Sequence, residues 1–135
     1  MRVVDDPGGG LLAAVEAGLA VLDPDLPTAV LLGDLPALQP DELSRAFAVA
    51  DGHDRAFVPD AEGTGTTLIV ARAGVPHAAR FGAASAARHR GEGYVELELP
   101  PLSGLRRDID TREQLEAAAS LVLGARTRAL LSRTA

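Results

Sequence analysis

The chain has 135 residues, 47% of them hydrophobic and 24% charged, a balance that supports one folded domain with a core and excludes a disordered chain. A formal net charge of −6 argues against a nucleic-acid polymer as partner, and the lack of cysteine excludes disulfides, iron–sulfur clusters and thiolate zinc. No apolar run reaches membrane-spanning length and no signal-peptide pattern opens the chain, so a cytoplasmic protein without membrane contact is expected.

In chain order, residues 2–4 are a short apolar lead-in and the DDPGGG stretch at 5–10 reads as a loop. Residues 11–22 predict a helix, because Leu11, Leu12, Val15, Leu19 and Leu22 recur on one face at helical spacing. DPDLP at 23–27 stops it. The unbroken apolar run at 29–32 predicts a parallel strand covered on both faces. Residues 40–50 predict a second helix, with Pro40 in its first turn and Asp41 and Glu42 complementing the positive end of its dipole. Residues 55–58 and 66–71 (TTLIVA) predict strands on either side of the Gly- and Thr-rich DAEGTG loop. Residues 83–90 predict a short Ala-rich helix, 94–99 (YVELEL) a half-exposed strand by alternation, and 105–109 another short strand. Residues 111–123 carry the strongest helical pattern, with Leu115, Ala118, Ala119 and Val122 on one face, and an Arg-bearing helical tail follows Gly124. Strands alternating with helices argue for a single α/β layered domain over 1–135 with a mixed sheet.

Asp34 follows directly on an apolar strand and a glycine. In open α/β sheets ligands sit beyond the carboxyl ends of strands, so a carboxylate there either holds a cation or caps the turn or helix that follows. In RDIDT, Asp108 and Asp110 alternate across Ile109 and would project to the same side of an extended stretch. With Asp34 they would offer the hard oxygen ligands that Mg²⁺ takes. Asp110 or Thr111 equally suits the N-cap of the next helix, where Thr111 and Gln114 fit a capping box. In GTGT, glycines let successive amides turn toward an anion and Thr66 adds a hydroxyl; the alternative is an ordinary Gly-rich hairpin loop. Arg80, Gly82 and Ser85 in RFGAAS form a similar set at a helix start, with a plain N-cap serine as the alternative. Gly8, Gly9 and Gly10 allow a base or ribose to approach the backbone or form a plain loop; they are no P-loop, since no GxxxxGK[ST] follows. His53, His77 and His89 lack metal-ligand spacing and read as surface residues.

LLGDLPAL, FVPDAEGTGTTL, RFGAASAARH and GLRRDIDTREQL, taken together and in order, resemble the motifs of the CofC/FbiD-type guanylyltransferases across nearly the whole chain. The resemblance implies a three-layer α/β nucleotidyltransferase fold of the sugar-nucleotide-synthase type with a mixed sheet. It implies transfer of GMP from GTP to phosphoenolpyruvate, or to 2-phospholactate as in the classical archaeal branch, with release of pyrophosphate, in assembly of coenzyme F-420. By motif, Asp34 matches a metal-binding acid, Asp108 a second with Asp110 beside it, and Thr66, Gly82 and Ser85 the positions for the phosphorylated acid. Gly8, Gly9 and Gly10 match the segment near the guanine nucleotide. Leu12 stands where the family usually has Asn, so a nucleoside contact is expected to be lost. The family's first strand, its basic phosphate-gripping loop and the next helix and strand have no counterpart here. That predicts a truncated domain with an exposed sheet edge and leaves an inert anion-binding chain as the rival to an enzyme. Self-association is left open.

Overall fold

The computed structural model describes residues 2–101, 103–109, 111–118 and 123–134. Among them, β1 (Thr28–Leu31), β2 (Arg55–Pro59), β3 (Thr66–Ala71) and β4 (Val95–Glu96) form one mixed sheet in the order β1-β3-β2-β4. β3 runs antiparallel to both β1 and β2, and β4 runs parallel to β2. Five helices accompany it: α1 (Leu11–Leu19), α2 (Pro40–Ala50), α3 (Ser85–Gly91), α4 (Arg112–Ala118) and α5 (Ala125–Thr134).

The two central strands are apolar on both faces, and their period of two divides the core in half. Ala56, Val58 and Leu68 turn to one face, where they meet Ala46 and Ala50 of α2 together with Leu35, Leu97 and Leu105. Phe57 and Ile69 turn to the other, against Phe81, Ala86 of α3 and Tyr94, with Val15 of α1 packed on the rim. Helices on both faces of a mixed sheet make the α/β layered domain that the alternation of elements predicts, in the three-layer form that the family resemblance implies. Phe57, Leu68, Ile69 and Leu105 are fully buried, each worth about 1.5–3 kcal/mol relative to exposure.

Several elements differ from the sequence expectation, each for a physical reason. The run at 29–32 forms β1, but antiparallel to β3 and at the sheet edge, with Leu31 exposed. Hydrophobicity reports burial, and here the apolar run faces the sheet on one side only. α1 ends at Leu19 and buries no residue, and Leu11, Leu12 and Leu22 remain exposed. YVELEL contributes only Val95 and Glu96 to the sheet, because Tyr94 and Leu97 turn inward while Leu97 N–H donates to Phe57 C=O at 2.9 Å. Residues 105–109 form no strand; a 3-10 turn spans Gly104–Arg106. Its groups are already taken: Gly104 N–H donates to Glu42 Oε1 at 2.9 Å, and Leu105 C=O accepts from Thr67 Oγ1 at 2.7 Å. α4 covers the first part of the helix predicted at 111–123, and residues 119–122 lie outside the described residues.

Two cross-links fix the loops that flank the sheet. Glu42 closes the capping box of α2, with Oε2 accepting from Gln39 N–H at 2.9 Å, while its other oxygen holds Gly104. Gly104 sits so close to the Ala37 carbonyl that no Cβ fits. On the other face, Arg55 donates from Nε to Pro76 C=O at 2.7 Å and from Nη1 to Glu92 C=O at 3.1 Å, with its guanidinium over the Tyr94 ring.

Glu42→Ala removes a charge-assisted acceptor from two amides at once. The expected loss is about 2–3 kcal/mol, measured by chemical denaturation, with faster hydrogen exchange at the Gly104 amide.

Candidate functional site at the strand ends

β1 and β2 run the same way and β3 opposes them, so the last residues of β1 and β2 and the first of β3 share one end of the sheet. That end carries Asp34 beyond β1, Asp60 beyond β2 and Thr66 opening β3. Two further segments close on it. Arg106 donates from Nε to Pro59 C=O at 3.3 Å and from Nη2 to Asp60 C=O at 2.9 Å. Ala86 N–H in α3 donates to Thr64 C=O at 3.0 Å, which brings the start of that helix against the start of β3.

The loop between β2 and β3 reads from sequence either as amides turned toward an external anion or as an ordinary Gly-rich hairpin loop. Its anion is internal instead. Asp60 is buried, and its carboxylate accepts from Thr64 N–H at 2.9 Å and Gly65 N–H at 2.7 Å. Gly65 is required because a Cβ there would collide with Asp60 Oδ2. Asp60 was not singled out from sequence, although its spacing to a Gly-Thr-Gly turn is the signal by which a carboxylate takes amides a few residues on.

Thr66, Gly82 and Ser85 gather where α3 meets β3. Thr66 is buried, and its hydroxyl lies 2.9 Å from His89 Nδ1. Ser85 is buried as the first residue of α3, with its N–H donated to Gly82 C=O at 3.1 Å, and its hydroxyl has no partner among the described residues. It is therefore not the N-cap. That position falls to Ala84, at φ 54° the only described non-glycine residue with left-handed backbone. Holding alanine there costs about 1–2 kcal/mol, a local strain of the kind that gathers at functional sites. Gly82, at φ 111°, supplies the preceding bend, and its N–H is also without a partner among the described residues. Arg80 is turned away, its guanidinium paired with Glu92 at 2.8 Å.

Two of the three histidines, His77 and His89, are not surface residues. His89 is fully buried between Phe57, Phe81 and Tyr94. Burial above all, then the charges of Arg80 and His77, push its pKa down to about 4, against a hydrogen bond with the Ser85 backbone and the Glu92 carboxylate. His77 is half-buried between Thr28 Oγ1 and the Tyr94 hydroxyl, at 3.1 and 3.0 Å, and its pKa is lowered chiefly by burial. The missed signal for His89 was its spacing: it lies one helical turn from Ser85 and Ala86, on the face of α3 that carries no charge.

Asp34 is exposed, and its carboxylate has no hydrogen bond or ion pair among the described residues. It does not cap α2, whose N-cap is Gln39. Asp108 is half-buried beside Arg107, in a concave patch shared with Glu62, Glu113 and Gln114. Asp110 lies outside the described residues. Thr111 takes the cap of α4: Gln114 N–H donates to Thr111 Oγ1 at 3.2 Å and Thr111 N–H to Gln114 Oε1 at 2.9 Å. Among the described residues no group of three or more His, Asp or Glu is gathered as a metal site. The donor set of Asp34 and Asp108 is nonetheless of the hard carboxylate type that Mg²⁺ accepts. Gly8, Gly9 and Gly10 have φ of 73°, 101° and 88°, and Gly10 is the N-cap of α1. The C-terminal part of α1 lies near Thr28.

Residues 1–97 match the model of the family described as the MobA-like NTP transferase domain. A phosphoenolpyruvate guanylyltransferase of Streptomyces coelicolor is 48% identical over 134 residues, 97% of this chain and 63% of that protein. One of Sanguibacter keddieii is 46% identical over 96% of this chain and 48% of its own length, and one of Thermomonospora curvata 47% identical over 98% and 60%. The chain thus spans between about half and under two thirds of the length of these curated relatives.

Gly65→Ala is expected to cost about 2–3 kcal/mol in chemical denaturation, because Asp60 must release the loop, and to speed amide exchange at Thr64. Acid should also destabilise the fold. His89 binds its proton at about 4 when folded and near 6.5 when unfolded, so its contribution is complete above about pH 6.5 and is lost as pH falls toward about 4, on the order of 3 kcal/mol in all. His77 acts in the same sense. Unfolding free energy measured at successive pH values should fall steadily through this window.

Proposed function

The chain belongs to the MobA-like NTP transferase family, and from that premise we propose that it is a guanylyltransferase that moves GMP from GTP to phosphoenolpyruvate. The observation that carries this is the 48% identity, across 97% of the chain, to a protein named phosphoenolpyruvate guanylyltransferase. Support comes from the site itself: unspent donors on Gly82 and Ser85, the hydroxyl of Thr66 and the unpartnered carboxylate of Asp34, all carried by segments at one sheet end.

In the proposed reaction an oxygen of the acceptor's phosphate attacks the α-phosphorus of GTP. A P–O bond forms there, the bond from that phosphorus to the bridging oxygen breaks, and pyrophosphate leaves with the electron pair. The attacking oxygen is already anionic, so no general base is required. The Thr66 and Ser85 hydroxyls and the Gly82 amide bind the acid's phosphate and carboxylate, and this positioning supplies much of the rate. Asp34 and Asp108, with Asp110 two residues further along the sequence, would hold Mg²⁺, which when bound neutralises phosphate charge. Gly8, Gly9 and Gly10 allow the guanine nucleotide close to the backbone, with Leu12 adding no polar contact. The product, a guanylylated acid, would feed assembly of coenzyme F-420 in the cytoplasm.

With Mg²⁺, the chain should release pyrophosphate from GTP only when phosphoenolpyruvate is present, and faster than with 2-phospholactate or with other nucleoside triphosphates. Asp34→Ala should lower that rate about a hundredfold or more. Retention of most activity by this variant would remove the metal role. A faster reaction with 2-phospholactate would reassign the acceptor, and folded chain without GTP-dependent pyrophosphate release would leave an anion-binding protein that is no transferase.

A further inference from the structure

We propose that His89 is a positioning residue, which fixes the proton of the Thr66 hydroxyl so that it points to the bound acid. The inference rests on the acceptor site proposed above, but the geometry behind it is independent of any ligand. Arg80 N–H lies 2.9 Å from His89 Nε2. A backbone N–H only donates, so Nε2 carries no proton. A neutral imidazole has one N–H, which must then be on Nδ1. Nδ1–H faces both Thr66 Oγ1, 2.9 Å away, and the Ser85 backbone carbonyl, and a protonated Nδ1 has no lone pair with which to accept the threonine hydrogen. The hydroxyl therefore turns a lone pair to His89 and keeps its own hydrogen, with no other partner among the described residues. In the opposite tautomer Thr66 would donate to the ring and meet an anion with lone pairs alone, which repels a phosphate or carboxylate oxygen.

The surroundings hold this arrangement in place. Phe81 and Tyr94 meet the His89 ring edge-on, with centroids 5.3 and 5.2 Å away, and Phe57 lies at 5.9 Å, so the ring is walled in and its flip is blocked. Full burial keeps it neutral through physiological pH. The backbone N–H that selects the tautomer belongs to Arg80, and the hydroxyl that it orients belongs to β3. The RFGAAS bend and the start of β3 thus share a single protonation state.

The test reads the tautomer first. Long-range ¹H–¹⁵N spectra of the imidazole in the unmodified chain should show Nδ1 protonated and Nε2 bare, and addition of phosphoenolpyruvate should shift Nδ1. Two substitutions then separate positioning from packing. The amide nitrogen of His89→Asn replaces Nδ1–H, whereas the carbonyl of His89→Gln replaces Nε2. The Gln variant should raise KM for phosphoenolpyruvate about tenfold with KM for GTP unchanged, the Asn variant should restore most of it, and neither should alter KM in a Thr66→Val background. A ring protonated on Nε2 overturns the inference even if transfer proceeds normally, which leaves the proposed function standing. Equal KM effects of Asn and Gln also overturn it. A correct tautomer with no response to phosphoenolpyruvate sinks this inference and the acceptor site together.

Discussion

The Asp60 carboxylate, held by two amides of the loop that follows it, is the constraint from which the rest of this sheet end is built. A carboxylate among apolar strands is tolerated only when its oxygens are hydrogen-bonded, and here Thr64 and Gly65 supply that bonding. The chain must therefore reverse at once and start β3 with Thr66 in a set place. Arg106 then fastens the 3-10 turn to the same residue through its carbonyl, and Thr64 C=O receives the start of α3. Strand, turn and helix all register on one short loop.

Around that anchor the site is assembled from small residues and bent backbone. Gly82, Ala83, Ala84 and Ser85 have little side chain to obstruct a ligand, and the left-handed Ala84 lets α3 begin abruptly with Ser85 inward. In the proposed reaction an acid would be held by hydrogen bonds and not by a strong positive field, since Arg80 is committed to Glu92. Such a cradle discriminates by the direction of its donors. On the opposite edge of the same sheet end, Asp34 supplies the contrasting charge.

Much of this was legible in the sequence, where local chemistry and tertiary need agree. Pro40 with two acids in the first turn marks α2 to the residue, and TTLIVA marks β3, because propensity and burial point the same way. Leu105 and its neighbours misled, because a strand pattern says nothing about whether a partner strand is free to pair. The Thr66–Gly82–Ser85 grouping followed from motif resemblance; spacing alone left each residue open between an anion contact and an ordinary loop or cap. His89 was hidden by its neighbours: Arg88 and Arg90 are exposed, and a histidine between two arginines looks solvated until the helical turn is drawn. Asp60 was hidden because an acid at a strand end is ambiguous until its amide partners are in view.

The Arg55 fork has a consequence for how this protein moves. One planar group, rooted in β2, bonds the backbone at Pro76 and at Glu92 and lies across Tyr94. Because the guanidinium is rigid, the two loops cannot shift independently: a rotation that lengthens one bond must tilt the plane and disturb the other. The segments that bracket Gly82 and Ser85 thus travel with the central sheet as one body. Movement of Gly82 and Ser85 relative to the sheet is then left to the short bend between the two tethered segments.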